Sequence, residues 1–494
     1  MAEGIGTQHK NRFLYSSFDG RMWLLALLGI VLGVGVSVIA GQFGWLVLLV
    51  FPGLIVLTLA VSRPDLGLSM LLIVIFAQVQ RVFAEINGWP GPGRPLFAFV
   101  LGIVLLRFFV FNERPMPWIK NSFVFVIYSI FLLISVVTAD NTDLAFTEFL
   151  DVVQNMLIAS MILFIVQKPT SLKTVIWAIV LAGLFMSSVS VFQNLTKTYD
   201  NSYFGFGGWE YSGYVGRPRM TGPYETPNPY AQVLAVIFIL ALERGLQEKD
   251  AKFKLLGMVS AGVCALALIF TDSRGGFLNF IFTIFVFLLF NRPSINTMIV
   301  MFALGMILLR FLPANFTERL FTLTELVNSD STEIYDESFR GRTSENIAAW
   351  QMFLDNPVFG VGLDNYSQYY LDYSRQIGLD SRREQRDPAS LYLQLLATQG
   401  LFGTLAFFGT IIYVFVQMFN SYKVMRKSGW IDEASMTSAL FAALAGYMFM
   451  SIYKNSANTN VFWSLVAICL AVTQVAITMR QAEYNTYPAL EKRN

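Results

Sequence analysis

The chain alternates long apolar runs with short polar turns, and almost nowhere do polar residues interrupt a run at the two-residue period of a half-buried strand. A hydrocarbon layer demands roughly 15 to 20 apolar residues per helical crossing. On that criterion the first half predicts helices at Met22–Ile39, Trp45–Val61, Leu66–Val79, Leu96–Phe111, Ser122–Thr138, Phe149–Val166 and Thr174–Phe192. The second half predicts Tyr230–Leu242, Leu255–Phe270, Phe277–Phe290, Ile295–Phe311, Leu401–Phe419, Met436–Tyr453 and Val461–Met479. Val38 and Ala40 mimic a signal-peptide cleavage site, but so long a core with another run behind it reads as a retained helix. The expected fold class is therefore an all-α polytopic membrane protein of about 14 transmembrane helices, within a range of 12 to 14.

Composition agrees: of 494 residues 55% are hydrophobic and 14% charged. The net charge of +2 says little, because the distribution of Lys and Arg sets orientation. With the N-terminus inside, the inner segments hold most of them, for example Arg244, Lys249, Lys252 and Lys254. The outer connections hold few, among them Arg81, Lys197, Arg274 and Lys454. Both termini are expected in the cytoplasm. The domain reading is a tail 1–21, transmembrane helices 22–192, a first outer loop 193–229, central helices 230–311, a long outer loop 312–391, helices 392–480 and a tail 481–494. The two long connections and the Thr271–Phe280 turn open on the same, outer, side.

Within the long loop, SENIAAWQMFL places Ile347, Trp350 and Leu354 at helical spacing behind Ser344 as N-cap. This is an amphipathic helix, on the bundle or on the membrane surface. Tyr366, Tyr369, Tyr370 and Tyr373 follow, as interface anchors or as a stacking platform for sugar rings. The Gly-Pro-rich connection Trp89–Pro95 either re-enters the membrane or simply turns.

The chemistry is narrowed by what is absent. The only histidine is His9 in the polar tail, Cys264 and Cys469 lie inside apolar runs, and no GxxxxGK[ST] loop occurs. Neither zinc spacing nor a disulfide framework is present, and no cofactor is expected. What stands out is TDSRGGFLNF, where Asp272, Ser273 and Arg274 are held at a membrane face between two spans. Gly275 and Gly276 are expected to leave the amides of the next helix bare beside the guanidinium, which makes an anion site; the other reading of Arg274 is a headgroup anchor. In VGRPRMTGPYETPNPY, Arg217 and Arg219 flank a proline, and Asn228 is the expected cap of the following helix. Two arginine-bearing sites on one face suit two linked phosphates, which the planar guanidinium binds bidentately.

The chain resembles the O-antigen ligase and polymerase superfamily of bacterial envelope glycan assembly. The resemblance rests on four segments in the family's order: RMTGPYETPNPYA (Arg219–Ala231), TDSRGGFL (Thr271–Leu278), DNPVFGVGLDNY (Asp355–Tyr366) and DPASLYLQLLATQGLFG (Asp387–Gly403). They cover the second half; the first half matches only as generic hydrophobic helices. The resemblance implies a GT-C-like bundle with a long helical extracytoplasmic loop, in the bacterial cytoplasmic membrane. It implies that Arg219 and Arg274, with Arg217 nearby, grip the pyrophosphate of an undecaprenyl-linked glycan donor. A metal-independent, inverting transfer to an acceptor glycan or glycolipid would follow, supported by Ser273, Gly275, Gly276, Asn228 and Tyr392. A chain-length regulator or other envelope assembly proteins are implied partners, and nucleic acid is not.

One departure bears on mechanism. Family members commonly carry a histidine just before the Leu-Tyr-Leu of the last segment, and here that position is Ala389. Asp387 and Glu384 are the candidate replacements and Tyr392 a poor one. Three explanations stand: the base lies elsewhere, the chain is inactive, or the alanine is a substitution made to trap substrate. The expectation is a surface-polysaccharide polymerase. The alternatives are a ligase delivering to lipid A core or protein, and a non-enzymatic lipid or polysaccharide flippase. The flippase reading is weakened by spans almost free of ionisable residues.

Overall fold

A computed structural model describes residues 62–212, 216–291, Ile299, 337–379, 384–454 and 459–486. The chain divides into two compact units, Met1–Pro64 and Asp65–Asn494; the second carries the elements below. The expected spans Met22–Ile39, Trp45–Val61 and Ile295–Phe311 lie outside the described residues, Ile299 apart.

Each of the other eleven expected spans falls on a helix. In chain order these are α1 (Pro64–Phe76) running into α2 (Val79–Ile86), α3 (Gly93–Phe109), α4 (Met116–Val137), α5 (Thr142–Ile165), α6 (Pro169–Thr196), α7 (Pro227–Gln247), α8 (Ala251–Phe270) and α9 (Arg274–Phe290). After α10 (Glu337–Asp355) and α11 (Tyr366–Ile377) come α12 (Leu391–Lys427), α13 (Ile431–Met450) and α14 (Asn460–Thr486). Among the described residues seven helices are long and apolar enough to cross a membrane, or eight if the bent pair α1 and α2 is one span. That is the support for a polytopic helical bundle.

α7 lies at the centre and touches α6, α8, α9 and α13. Its residues from Tyr230 to Gly245 are buried all the way round, which only a helix enclosed by others can be. Lipid tails give no hydrophobic drive for helices to associate, so small residues that let backbones approach do this instead. Gly276 of α9 is one: a methyl there would stand 2.4 Å from the Ala231 Cβ of α7.

The structure refines four expectations. The first outer loop is not wholly irregular or helical: β1 (Trp209–Ser212) and β2 (Arg217–Met220) form an antiparallel hairpin with Glu210 opposite Arg219. The chain is therefore all-α only in its bundle. Ser344 does not cap a helix, because α10 begins at Glu337 and Ser344 is buried in its middle. The face of α10 that packs is Ala348, Ala349 and Met352, while Trp350 and Leu354 are exposed. Finally, Tyr366 and Tyr370 are buried in the packing under α10, so only Tyr369 and Tyr373 remain near the surface.

α12 is the longest helix among the described residues, and it is broken. At Gly400 the backbone takes φ 63° and ψ −164°, which separates an outer piece from a spanning piece that starts at Leu401. The break orphans backbone groups, and the segment after α10 satisfies them: Val361 N donates to Ala397 O at 2.8 Å and Gly362 N to Thr398 O at 3.1 Å. In return Leu401 N donates to Pro357 O at 2.9 Å. The DNPVFGVG and ATQGLFG segments are thus two halves of one joint.

Candidate functional site

β2 brings its two arginines to the turn before α9. Residues two apart on a strand share a face, so Arg217 and Arg219 point the same way. Arg217 makes a two-pronged pair with Asp272, including Nε to Oδ2 at 2.7 Å. Arg219 donates from Nε to the Thr271 carbonyl at 3.0 Å and from Nη1 to Glu210 Oε1 at 2.9 Å. Asp272 is a buried carboxylate on a left-handed backbone, φ 49°, a conformation that Asp tolerates better than most. It neutralises part of the Arg217 charge, and Glu210 part of that of Arg219.

Two further contacts complete the joint. Ser273 caps α9, its Oγ accepting from Gly276 N at 3.0 Å, and donates to Asn228 Oδ1 at 2.7 Å. This corrects two expectations. Asn228 is not the cap of α7, which is Thr226; it sits in the first turn and receives Ser273. The Gly276 amide is not bare either, and Gly276 serves the close approach to Ala231. Arg274, the first residue of α9, is half-buried three positions beyond the carbonyl that Arg219 holds. Two stretches about fifty residues apart therefore meet.

The rest of the site gathers on the C-terminal end of α13, which sequence reasoning overlooked. Gln232 Nε2 of α7 donates to Tyr447 O at 3.0 Å, and Gly275 of α9 faces Met450. Leu391 N donates to Ser451 O at 3.0 Å, and the Tyr392 hydroxyl to Met448 O at 2.6 Å. Tyr392 is thereby a strut between α12 and α13. Asp387 and Ala389 precede α12 in an irregular segment with Asp387 exposed; Glu384 is exposed at its start. Arg386 fastens this segment to α10 through Glu345 at 3.1 Å.

Lys454, just past α13, is half-buried, and burial pulls its ammonium below the usual lysine range. The charge of Asp387 opposes that most, with Glu225 and Glu345 adding to it and Arg342 working the other way. Glu225 belongs to the Arg219–Ala231 segment and Asp387 to the segment before α12, so charges from both segments act on Lys454. Asp364 is raised above the usual carboxylate range by burial and then by Asp387. The signal that could have found Lys454 is its place in a connection where the charge pattern leaves few lysines.

The first half contributes as well. α1 and α2 meet at a 66° bend. The carbonyl of Phe76 at the bend accepts from the Tyr224 hydroxyl at 2.8 Å, and Arg81 of α2 donates to Pro223 O at 2.9 Å. The broken helix clasps the turn that follows Arg219.

A bundle of this kind, with a broken helix and polar loops gathered at one end, defines a polytopic membrane protein. Residues 259–408 match the family model described as O-antigen ligase, which supports the resemblance of this part of the chain to the O-antigen ligase and polymerase superfamily. That interval contains the Thr271–Leu278, Asp355–Tyr366 and Asp387–Gly403 segments, and the β-hairpin with Arg217 and Arg219 lies before it. That match supports a ligase- or polymerase-type function in general. No curated protein matches the chain.

Proposed function

We propose that this end of the bundle transfers a glycan from undecaprenyl pyrophosphate to an acceptor sugar, on the extracytoplasmic face of a bacterial cytoplasmic membrane. The acceptor hydroxyl oxygen attacks the anomeric carbon, the bond from that carbon to the phosphate oxygen breaks, and its electron pair leaves on the pyrophosphate. Configuration inverts because attack and departure lie on opposite sides. Arg219 and Arg274, with Arg217, neutralise the charge growing on the leaving phosphate, the task for which a fixed guanidinium is suited. The observation that carries this reading is the tying of β2 to the turn before α9 through Thr271, Asp272 and Ser273.

The acceptor proton needs a destination, and with Ala389 in the histidine position Asp387 is the carboxylate of the matching segment that can take it. Chain extension of a lipid-linked repeat is the favoured outcome, with delivery to lipid A core or protein as the alternative; both use the same arginines. The test is incubation of purified protein with a lipid-linked oligosaccharide, with and without a lipid A core acceptor. Longer lipid-linked chains indicate a polymerase and a labelled core a ligase. Arg219→Ala and Arg274→Ala should each lower transfer by ~10²-fold or more while insertion is unchanged; full activity in both removes the mechanism. Ala389→His should raise turnover, by up to ~10²-fold for an added general base, and an unchanged rate in a working assay would place the base elsewhere.

A further inference from the structure

We infer that α10 is seated in the bilayer by the edge Trp350, Leu354, Val358 and Phe359, in the leaflet on the side of the Arg274 turn. The inward face of α10 is already complete: Ala348, Ala349 and Met352 pack with Tyr366, Tyr370 and Ala397. The large apolar side chains are left on the outside, Trp350 46% and Leu354 58% exposed, followed by Val358 and Phe359 past the end of the helix. Water would be a costly neighbour for such a row, at about 25 cal/mol per Å² of apolar surface.

The height of this row relative to the bundle is fixed by the joint at Gly400. Leu401 N bonds to Pro357 O, and the Phe359 ring stands 6.1 Å from that of Phe402. Leu401, Phe402 and Leu405 form the exposed apolar surface of the first turns of the spanning piece of α12. The edge of α10 therefore continues a helix surface that faces lipid. Only α10's near edge joins that surface, since Arg375 and Asp372 on the neighbouring α11 are well exposed. Bilayer lipid is the one occupant that covers both stretches without a seam, as an interfacial helix requires. The seating has a consequence for the site: Glu345, on the inward side of α10, holds Arg386, so the membrane surface sets the height of the Asp387–Ala389 segment.

The experiment uses the full chain in lipid nanodiscs, with an environment-sensitive fluorophore on Leu354→Cys, and on Arg375→Cys as the aqueous control. Cys264 and Cys469 are buried, and unsubstituted protein reports any background labelling. The expected result is a blue-shifted emission at 354, quenched by shallow nitroxide-labelled lipid, with an iodide quenching constant several-fold below that at 375. Equal iodide quenching at both positions and no effect of nitroxide lipid would overturn the inference. So would protection of 354 from both quenchers, which would put a protein surface, such as a second copy, over the edge. The same labels on Val358→Cys give an independent reading should the 354 variant fail to fold.

Discussion

Lys454 shows how a single side chain reports on the site. Burial disfavours its ammonium, so its titration falls below the ordinary lysine range, and the Asp387 carboxylate is the strongest influence pulling it back. Removing that negative charge with Asp387→Asn should lower the Lys454 midpoint further. Because the folded value is below the unfolded one, the ammonium form is the destabilised one, and the penalty is lifted as pH rises through the lysine range. The pH dependence of modification by an amine reagent, read by peptide mass spectrometry, measures both effects against Lys197 as reference. An unmoved midpoint in the Asp387 variant would mean that the two do not interact. The arginines were legible in the sequence because proline and glycine around them marked a built loop. Their partners were not, since Asp272 and Glu210 become partners only when a hairpin folds back on a turn.

At the scale of elements the informative feature is the joint between the segment after α10 and the break in α12. Gly400 combines positive φ with extended ψ, a region open essentially only to glycine, and a methyl there would come within 2.4 Å of the Val358 carbonyl. Gly400→Ala should therefore cost ~1–3 kcal/mol from backbone strain alone, with the clash added. It should appear as a lower apparent melting temperature in detergent, whereas Gly409→Ala, with open space around its Cα, should leave it nearly unchanged. The sequence reading started its span at Leu401, at the point where the spanning piece begins. It could do so because Gln399 and Gly400 end one apolar pattern, but the reason for the break is the crossing of two backbones. The apolar spacing of Ile347, Trp350 and Leu354 likewise announced an amphipathic helix, on the bundle or on the membrane surface, without saying which face packs. Small residues pack against protein there, while the large ones face outward.

Across the whole molecule, the end opposite the site is closed by charge. Arg244, fully buried near the end of α7, pairs with Glu243 at 2.5 Å and with Asp432 of α13 at 2.8 Å. Glu248 joins Arg244 at 3.4 Å and Lys173 of α6 at 2.8 Å. Removing one partner of a buried pair leaves the other charge stranded, so Arg244→Met should destabilise by ~3–5 kcal/mol. Lys173→Ala, at a partly exposed position, should cost ~1 kcal/mol or less. Thermal unfolding of the two variants in one detergent checks the contrast, and equal shifts would mean that burial does not set the value of this network. The sequence placed Arg244 among inner cationic residues on the strength of its flank, with no sign that its network joins α6, α7 and α13.

What the sequence determined by itself was the class of molecule and, among the described residues, the positions of its long apolar helices, because burying backbone in lipid forces such helices and a linear pattern displays them. It also marked the segments around Arg219, Arg274 and Asp387, because charge and glycine beside a membrane are conspicuous. Which of these segments meet was decided only by tertiary structure. The end of α13 that organises them, the hairpin that carries two of the arginines and the clasp from α1 and α2 all depend on backbone groups, and backbone carbonyls look alike in every sequence until folding chooses their donors.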